Sequence, residues 1–417
     1  QAVASGALAS GDTVIVNSDG TVSVVAETSV TQAIGSEVVY DSGNTASSST
    51  TYDVATNRIV VAYFLNGGRG YAVVGTVSGT SISFGTPAIF DNGSTSDKFP
   101  EIVYASNAEK VVIAFRDPQN SNKGYAVVGT VSGTSISFGT SAVFNNAATY
   151  PGAIVYDSGS NQVIIAYQNV GDSSRGYAVT GAVSGTDISF GTHVKFSSGA
   201  TNYLYINAAY SPGDNKTIIT HGDADNTTKL LYRVASVSGT DISYGSQGNN
   251  VAVLGSVNHN AVTVDTINNK VVFVYRDSAN SLYGTVKIGT LSGTDISLGD
   301  AVIFNSGNVE KISAVFDGNA GKVVIIYATS SGGDKSKLIV GEVSGTDMSF
   351  GSAIEYDSSS ASSNASLAFD STSNVVVISY VDTGETSDGT SIVFRNAYTS
   401  TNLTAENFIG IASNGYA

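Results

Sequence analysis

The sequence has no cysteine, no tryptophan and a single methionine in 417 residues. Disulfides and thiolate metal sites are excluded, so packing and hydrogen bonds must hold the chain together. Charge is also scarce. Asp, Glu, Lys and Arg make up 13%, with 34 acidic against 19 basic residues and a formal charge of −15. That balance argues against nucleic acid or an anionic membrane surface as partner, because phosphate binding draws on clustered Lys and Arg. No apolar run is long enough to span a bilayer, and no cleavable leader opens the chain as it stands. Membrane insertion is not expected. Leu, Glu and Lys are sparse, and no stretch has the period of a three-turn amphipathic helix. What is abundant is Gly, 46 of them, with Ser, Thr, Asn and Val but only five Pro. This is the composition of many short strands joined by tight turns.

The strands repeat. Ser-Gly-Thr turns begin at Ser78, Ser132, Ser184, Ser238, Ser292 and Ser344, so the period is about 53 residues. A second signature is an apolar run closing on Tyr63, Phe115, Tyr167, His221, Tyr275, Tyr327 or Tyr380. Eleven residues before each stands Tyr52, Tyr104, Tyr156, Tyr210, Val264, Phe316 or Phe369. A constant spacing implies a fixed hairpin, with turns such as "DSGSNQ" (157–162) between its strands. In the sixth copy the four expected strands are "ISAVF" (312–316), "KVVIIYA" (322–328), "KLIVGEV" (337–343) and "MSFGSAIEY" (348–356). The second is apolar throughout, as for a strand covered on both faces; the fourth alternates and suits an outer edge.

Four antiparallel strands in such a period describe a β-propeller blade, and seven copies describe a seven-bladed β-propeller. The seventh copy lacks a fourth strand at its C-terminal side. "AIGSEVVYDSG" (33–43) matches the fourth-strand texture of "SFGSAIEYDSS" (349–359), so an N-terminal outer strand is expected to close the ring and remove an open edge. The domains expected are the propeller at 31–399 and a small β module made of 1–30 and 400–417. In that module "GDTVIVNSDGTVSVV" (11–25) reads as a hairpin with a primed turn at Asp19-Gly20. Its C-terminal part, "ENFIGIASNGYA" (406–417), stops where another turn would follow.

Turns between first and second strands and between third and fourth are uniform copies, which suits scaffold. The second-to-third loops and the crossings between copies, which share the other face, vary in length and content. Recognition is therefore expected there. The candidate ligand-binding residues on this face are Arg69, Arg116, Lys123, Tyr150, Arg175, Tyr203, Tyr205 and Arg276, side chains that stack on sugar rings and fork hydrogen bonds to hydroxyls. Each also has a plain reading, an amphipathic side chain lying over apolar neighbours at a strand end.

No metal site is expected. "DADN" (223–226) after His221 offers hard oxygen donors but lacks the remaining ligands of a calcium loop. His221, His193 and His259 form no metal-spaced pair, and His221 reads as a strand-end residue in the place of Tyr or Phe. No cofactor is expected, and no enzyme: there is no nucleophile elbow and no glycine-rich loop opening a helix. Asp117 and Asp277 could meet as paired carboxylates, but Asn169 and Asp382 in equivalent places make them look like turn residues.

The phrases "VYDSGSNQVIIAY" (155–167) and "GYAVTGAVSGTDISFG" (176–191) resemble predicted β-propeller proteins of marine tailed bacteriophages, a group of tail-fibre and virion structural proteins. The segments 4–25 and 403–417 are similar to those that bracket such propellers, and to small β-barrel capsid-decoration modules. The resemblance extends over nearly the whole chain and rests on texture and short phrases. It implies a non-enzymatic virion surface protein with capsid or tail proteins as partners, a cell-surface glycan or envelope as target and assembly as a homo-oligomer. A secreted bacterial adhesin or lectin, extracellular or at the cell surface, is the competing reading, and a polysaccharide hydrolase or lyase a third.

Overall fold

The computed structural model describes residues 3–9, 12–93, 99–223, 229–246, 248–252, 259–329, 335–357, 363–384 and 386–401. Among them there is no α-helix, only strands and three short 3-10 turns. Two compact bodies are distinguished, Ile34–Phe394 and a smaller one of Gln1–Ala33 with Arg395–Ala417.

The larger body repeats one antiparallel, four-stranded unit. In the third copy the strands are Thr149–Asp157, Gln162–Asn169, Arg175–Ser184 and a fourth in two pieces, Asp187–Phe190 and Val194–Ala200. Val163, Ile164, Ile165, Ala166 and Tyr167 of the second strand are fully buried, because sheets cover it on both sides. Side chains of adjacent sheets mesh into shared cores. Val112, Ala114, Val128 and Phe144 of the second unit pack with Val163, Ile165, Tyr167 and Val179 of the third. Burying one such side chain is worth about 1.5–3 kcal/mol, so the contacts between sheets are a large source of stability.

The two uniform turns have separate physical causes. Asp157, at the end of the third unit's first strand, is buried and accepts a hydrogen bond from the Ser160 N–H at 2.9 Å. Asn161 then takes a left-handed φ of 57° and returns the chain into the second strand. Tyr156 donates its hydroxyl to Asn161 Oδ1 at 3.1 Å and accepts from the Asn107 N–H of the preceding unit at 3.2 Å. In the Ser-Gly-Thr turn, Gly185 supplies φ 63°, and the five other copies have the same sign within a few degrees.

The repeated phrase also clasps neighbours. The Gly after the fourth strand's Phe lies against the carbonyl of the next unit's turn Thr; a Cβ on Gly139 would stand 2.1 Å from Thr186 O. This glycine also breaks the fourth strand, expected as one piece at 348–356 in the sixth unit. There it runs Asp347–Phe350 and Ile354–Asp357, because Gly351 bonds its N–H to Val340 O and three residues then span a shorter stretch of the partner strand. The first strand of that unit differs as well. It is the C-terminal half of one strand, Val302–Asp317, whose N-terminal half pairs in the fifth unit.

The last unit, Ser363–Asp370, Val375–Asp382 and Asp388–Arg395, receives its fourth strand from the N-terminal side, where Val38–Asp41 pairs antiparallel with 389–391. Gly35 faces Thr80 O as Gly139 faces Thr186 O. The last sheet packs on the first, with Tyr40, Val375, Val377 and Val393 against Ile59, Val61, Tyr63 and Val73.

In the smaller body Val14–Val16 and Thr21–Val24 form a hairpin, Val3–Ala4 runs parallel to its second strand, and Glu27–Val30 pairs with Tyr398–Thr401. The hairpin turn differs from expectation. Gly20 has φ 82° but Asp19 has no positive φ, so the turn is not of the primed kind that needs both; the Asp19 carboxylate instead accepts from the Thr21 N–H at 2.9 Å. The expected C-terminal strand at 406–417 lies outside the described residues.

Candidate functional site

A cavity of about 630 Å³ opens in the larger body, and the first strand of every unit, from Thr45–Asp53 to Ser363–Asp370, contributes to its wall. Four of these strands are irregular. Register shifts lie between Thr45 and Ser47, Pro151 and Ala153, Glu310 and Ser313, and Ser363 and Ser366. Bulges of this kind re-aim side chains, here beside a cavity. Gly152 occupies one of them, where a Cβ would meet Ile206 Cβ at 2.6 Å and Tyr203 O at 2.8 Å. Its lack of a side chain lets the turn Tyr203–Tyr205 close onto the strand.

That turn builds an aromatic corner. Asn202 caps it by accepting from the Leu204 N–H at 3.0 Å, and Tyr203 O accepts from the Ile206 N–H at 3.0 Å. Tyr203 is thereby stacked on Tyr150, centroids 4.5 Å apart and planes 12° from parallel, with Phe99 at 4.8 Å from Tyr203 and 6.1 Å from Tyr150. The Arg116 guanidinium lies 4.0 Å over the Tyr150 ring and donates to Asn122 Oδ1 at 2.7 Å. Phe99 and Tyr203 line the cavity, and Tyr205 continues the aromatic wall.

The rest of the wall is polar. Ser47, Ser48, Ser49 and Thr50 are buried hydroxyl residues in a strand that elsewhere would be apolar. Asn260 Oδ1 accepts from Asn207 Nδ2 at 3.1 Å and from Thr220 Oγ1 at 3.0 Å, while its Nδ2 donates to Tyr205 O at 3.2 Å. This triply bonded amide fixes two neighbouring first strands and the aromatic turn together. Three chargeable groups line the cavity, Glu101, His259 and Lys311. Burial pushes the Glu101 carboxyl up to about 8, against the opposing pull of a Ser49 hydrogen bond. Burial, with the Arg276 and Lys311 charges, holds the His259 imidazole down at about 4. The cavity thus offers hydroxyls, amides and aromatic faces, and burial favours the uncharged form of both Glu101 and His259.

Of the eight candidates from sequence, Tyr203 and Tyr205 line the cavity, while Tyr150 and Arg116 are stacked behind Tyr203 and do not line it. The others do not join them. Arg69 is exposed in the turn before Gly70–Ser78, and Lys123 is half-buried at the start of Lys123–Ser132. Arg175 is paired with Asp172 at 2.8 Å, and Asp172 also holds Lys195 at 2.8 Å and Tyr177. These partners keep the Asp172 carboxyl down at about 2, the hydrogen bond from Lys195 foremost. Arg276 is buried and pairs with Glu310 at 3.3 Å.

Asp117 and Asp277 accept backbone N–H bonds from Gln119 and Ala279, each at 3.0 Å, within their own loops. His221 is buried against Phe196, its Nδ1 3.3 Å from Gly222 O, with Nε2 unbonded among the described residues. Most of "DADN" (223–226) lies outside the described residues, and among these no cluster of His, Asp or Glu could hold a metal ion.

Sequence reasoning missed Phe99, Glu101, Asn207, Asn260 and Lys311. The run "TASSSTTYD" (45–53) was the available signal, since a buried strand with hydroxyls on both faces must border something polar.

The chain matches no protein-family model and no curated protein sequence. Solved structures similar to it include the BP39L lectin from Burkholderia pseudomallei, with a TM-score of 0.62 and 12% identity over 83% of this chain and 94% of that one. A protein of unknown function from Dyadobacter fermentans has a TM-score of 0.53 and 12% identity, covering 88% and 99%. The C-terminal WD40 domain of Sif2 has 0.50 and 13%, covering 87% and 99%. At such identities the likeness shows the fold alone. The larger body is a β-propeller.

Proposed function

We propose that the four-stranded units close into a seven-bladed β-propeller that binds a glycan, without cleaving it, at its axial cavity. The observation that carries this reading is the Phe99 and Tyr203 pair, backed by Tyr150, which opens onto a wall of serine and threonine hydroxyls. A sugar ring has an apolar C–H face and a hydroxyl rim, and the two kinds of wall answer them. The lectin among the similar structures supports the same class of ligand. The protein is read as non-enzymatic because Asp117 and Asp277, the carboxylates singled out for hydrolysis, are spent on their own loop backbones. Its setting is the surface of a tailed-phage virion, by the resemblance of 155–167 and 176–191, in contact with capsid or tail proteins and with copies of itself; a cell-surface lectin would use the same cavity. Mass spectrometry of purified virions separates these settings.

The binding itself is tested on a glycan array, followed by the Tyr150→Ala/Tyr203→Ala variant. At least a tenfold loss of affinity, about 1.4 kcal/mol, is expected with the circular dichroism spectrum retained. A folded variant that binds as tightly as the parent overturns the assignment of the site.

A further inference from the structure

We infer that the ligand of the axial cavity carries a protonated amine, as an amino sugar with a free amino group, seated on the Glu101 carboxylate beside Phe99 and Tyr203. This rests on the glycan reading above. Glu101 is the one carboxylic acid that lines the cavity, and no cationic side chain pairs with it among the described residues. Its hydrogen-bonding neighbour is Ser49 on the adjacent first strand. Ser49 Oγ accepts the Ile102 N–H at 3.4 Å, which leaves the hydroxyl hydrogen to donate to Glu101. One oxygen is thus supported by a neutral donor, and among the described residues the carboxylate has no counter-ion. Phe99, Pro100 and Glu101 are consecutive and all face the cavity, with Tyr203 against Phe99. A carboxylate beside aromatic faces is the arrangement that holds an ammonium group, by ion pairing and by attraction to the ring quadrupole.

The other titratable groups facing the cavity are His259, Lys311 and the phenols of Tyr203 and Tyr205. The Lys311 charge is felt by His259, and among the described residues Glu101 has no such cationic influence, so the two groups stand in electrically distinct surroundings. The proton balance is simple. Burial raises the Glu101 carboxyl and so favours its protonated form in the empty cavity; when the ammonium binds, the carboxyl ionises, the ion pair forms and the proton passes to buffer.

Isothermal titration calorimetry of the full chain at pH 7 tests this with a deacetylated glucosamine trimer and its N-acetylated counterpart. Runs in phosphate and in Tris report proton release. The free-amine trimer is expected to bind at least tenfold more tightly and to release protons, up to one for each trimer whose amine is already charged. Glu101→Gln is expected to lose both the preference and the release while still binding the acetylated trimer. The wild-type proton count stands even if that variant misfolds. Equal affinities with no proton released overturn the amine inference and leave glycan binding intact, as does an array that responds only to neutral sugars. An array on which no glycan binds overturns the glycan reading as well.

Discussion

Replacing Gly139 by alanine should destabilise the protein, whereas the same replacement at Gly351 should not. Both residues follow the Phe of a fourth strand, both donate a backbone N–H to the third strand, and neither has a positive φ. They differ in what faces them. A Cβ on Gly139 would lie 2.1 Å from Thr186 O and 2.9 Å from Thr186 Cβ, so backbone of the next unit must move by more than 1 Å to restore contact distance. Overpacking of this kind costs about 1–3 kcal/mol. Gly351 has no such neighbour, because the last unit takes its fourth strand from the N-terminal side and has no Ser-Gly-Thr turn. The nearest atom to its Cβ would be Val340 O at 3.9 Å. Alanine there restricts the unfolded chain and should stabilise by about 0.4–1 kcal/mol. The pair should therefore separate by roughly 1.5–4 kcal/mol in urea unfolding, read as midpoint shifts at constant slope. Equal losses at the two positions would refute the clasp and leave only the general intolerance of a strand glycine for a side chain.

Two further outcomes can be measured in the same way. Asp265 is fully buried and accepts from the Ile267 and Asn268 N–H groups at 3.0 and 2.9 Å, so Asp265→Ala strands two turn donors; a loss of about 1–3 kcal/mol is expected, and an unchanged midpoint would discount the turn bonds. Burial holds the His221 imidazole at about 4 against an unfolded value near 6.5, so the unfolded chain takes up a proton first. The stabilisation is whole above about pH 6.5 and falls by about 3 kcal/mol as the pH drops toward 4. His221→Phe, the residue type at the equivalent Phe115, should flatten this slope relative to the parent; parallel pH profiles would show that His221 is not its source.

Much of this architecture could be read from the spacing of Ser-Gly-Thr turns and strand-end aromatics, because both are fixed by local chemistry: a left-handed glycine, a buried aspartate, a strand covered on two faces. Breaks in the fourth strands escaped notice since they depend on which residue of the partner strand each one meets, as where three residues after Phe350 span only two of the third strand, and no local pattern marks that register. The aromatic corner was half legible. Tyr150 and Tyr203 stood out as tyrosines in variable crossings, but Phe99 and Glu101 were passed over because nothing local marks which residue of a crossing faces a cavity. Arg175 and Arg276 looked free for the opposite reason. Asp172 is three residues from Arg175 across a loop, and Glu310 lies on the following unit.

The pairing of Val38–Asp41 with 389–391 has a consequence for biosynthesis. Val39 waits for Thr390, roughly 350 residues later, while every unit between them can pair its own strands as it leaves the ribosome. Until then Val38 and Tyr40, which later enter the core shared by the last and first sheets, have no partner strand. A nascent chain therefore carries a sticky strand while those residues are made, and two such chains growing side by side can exchange it. Crowded polysomes should favour strand-swapped dimers, and slow, dilute expression should favour monomers that close on themselves.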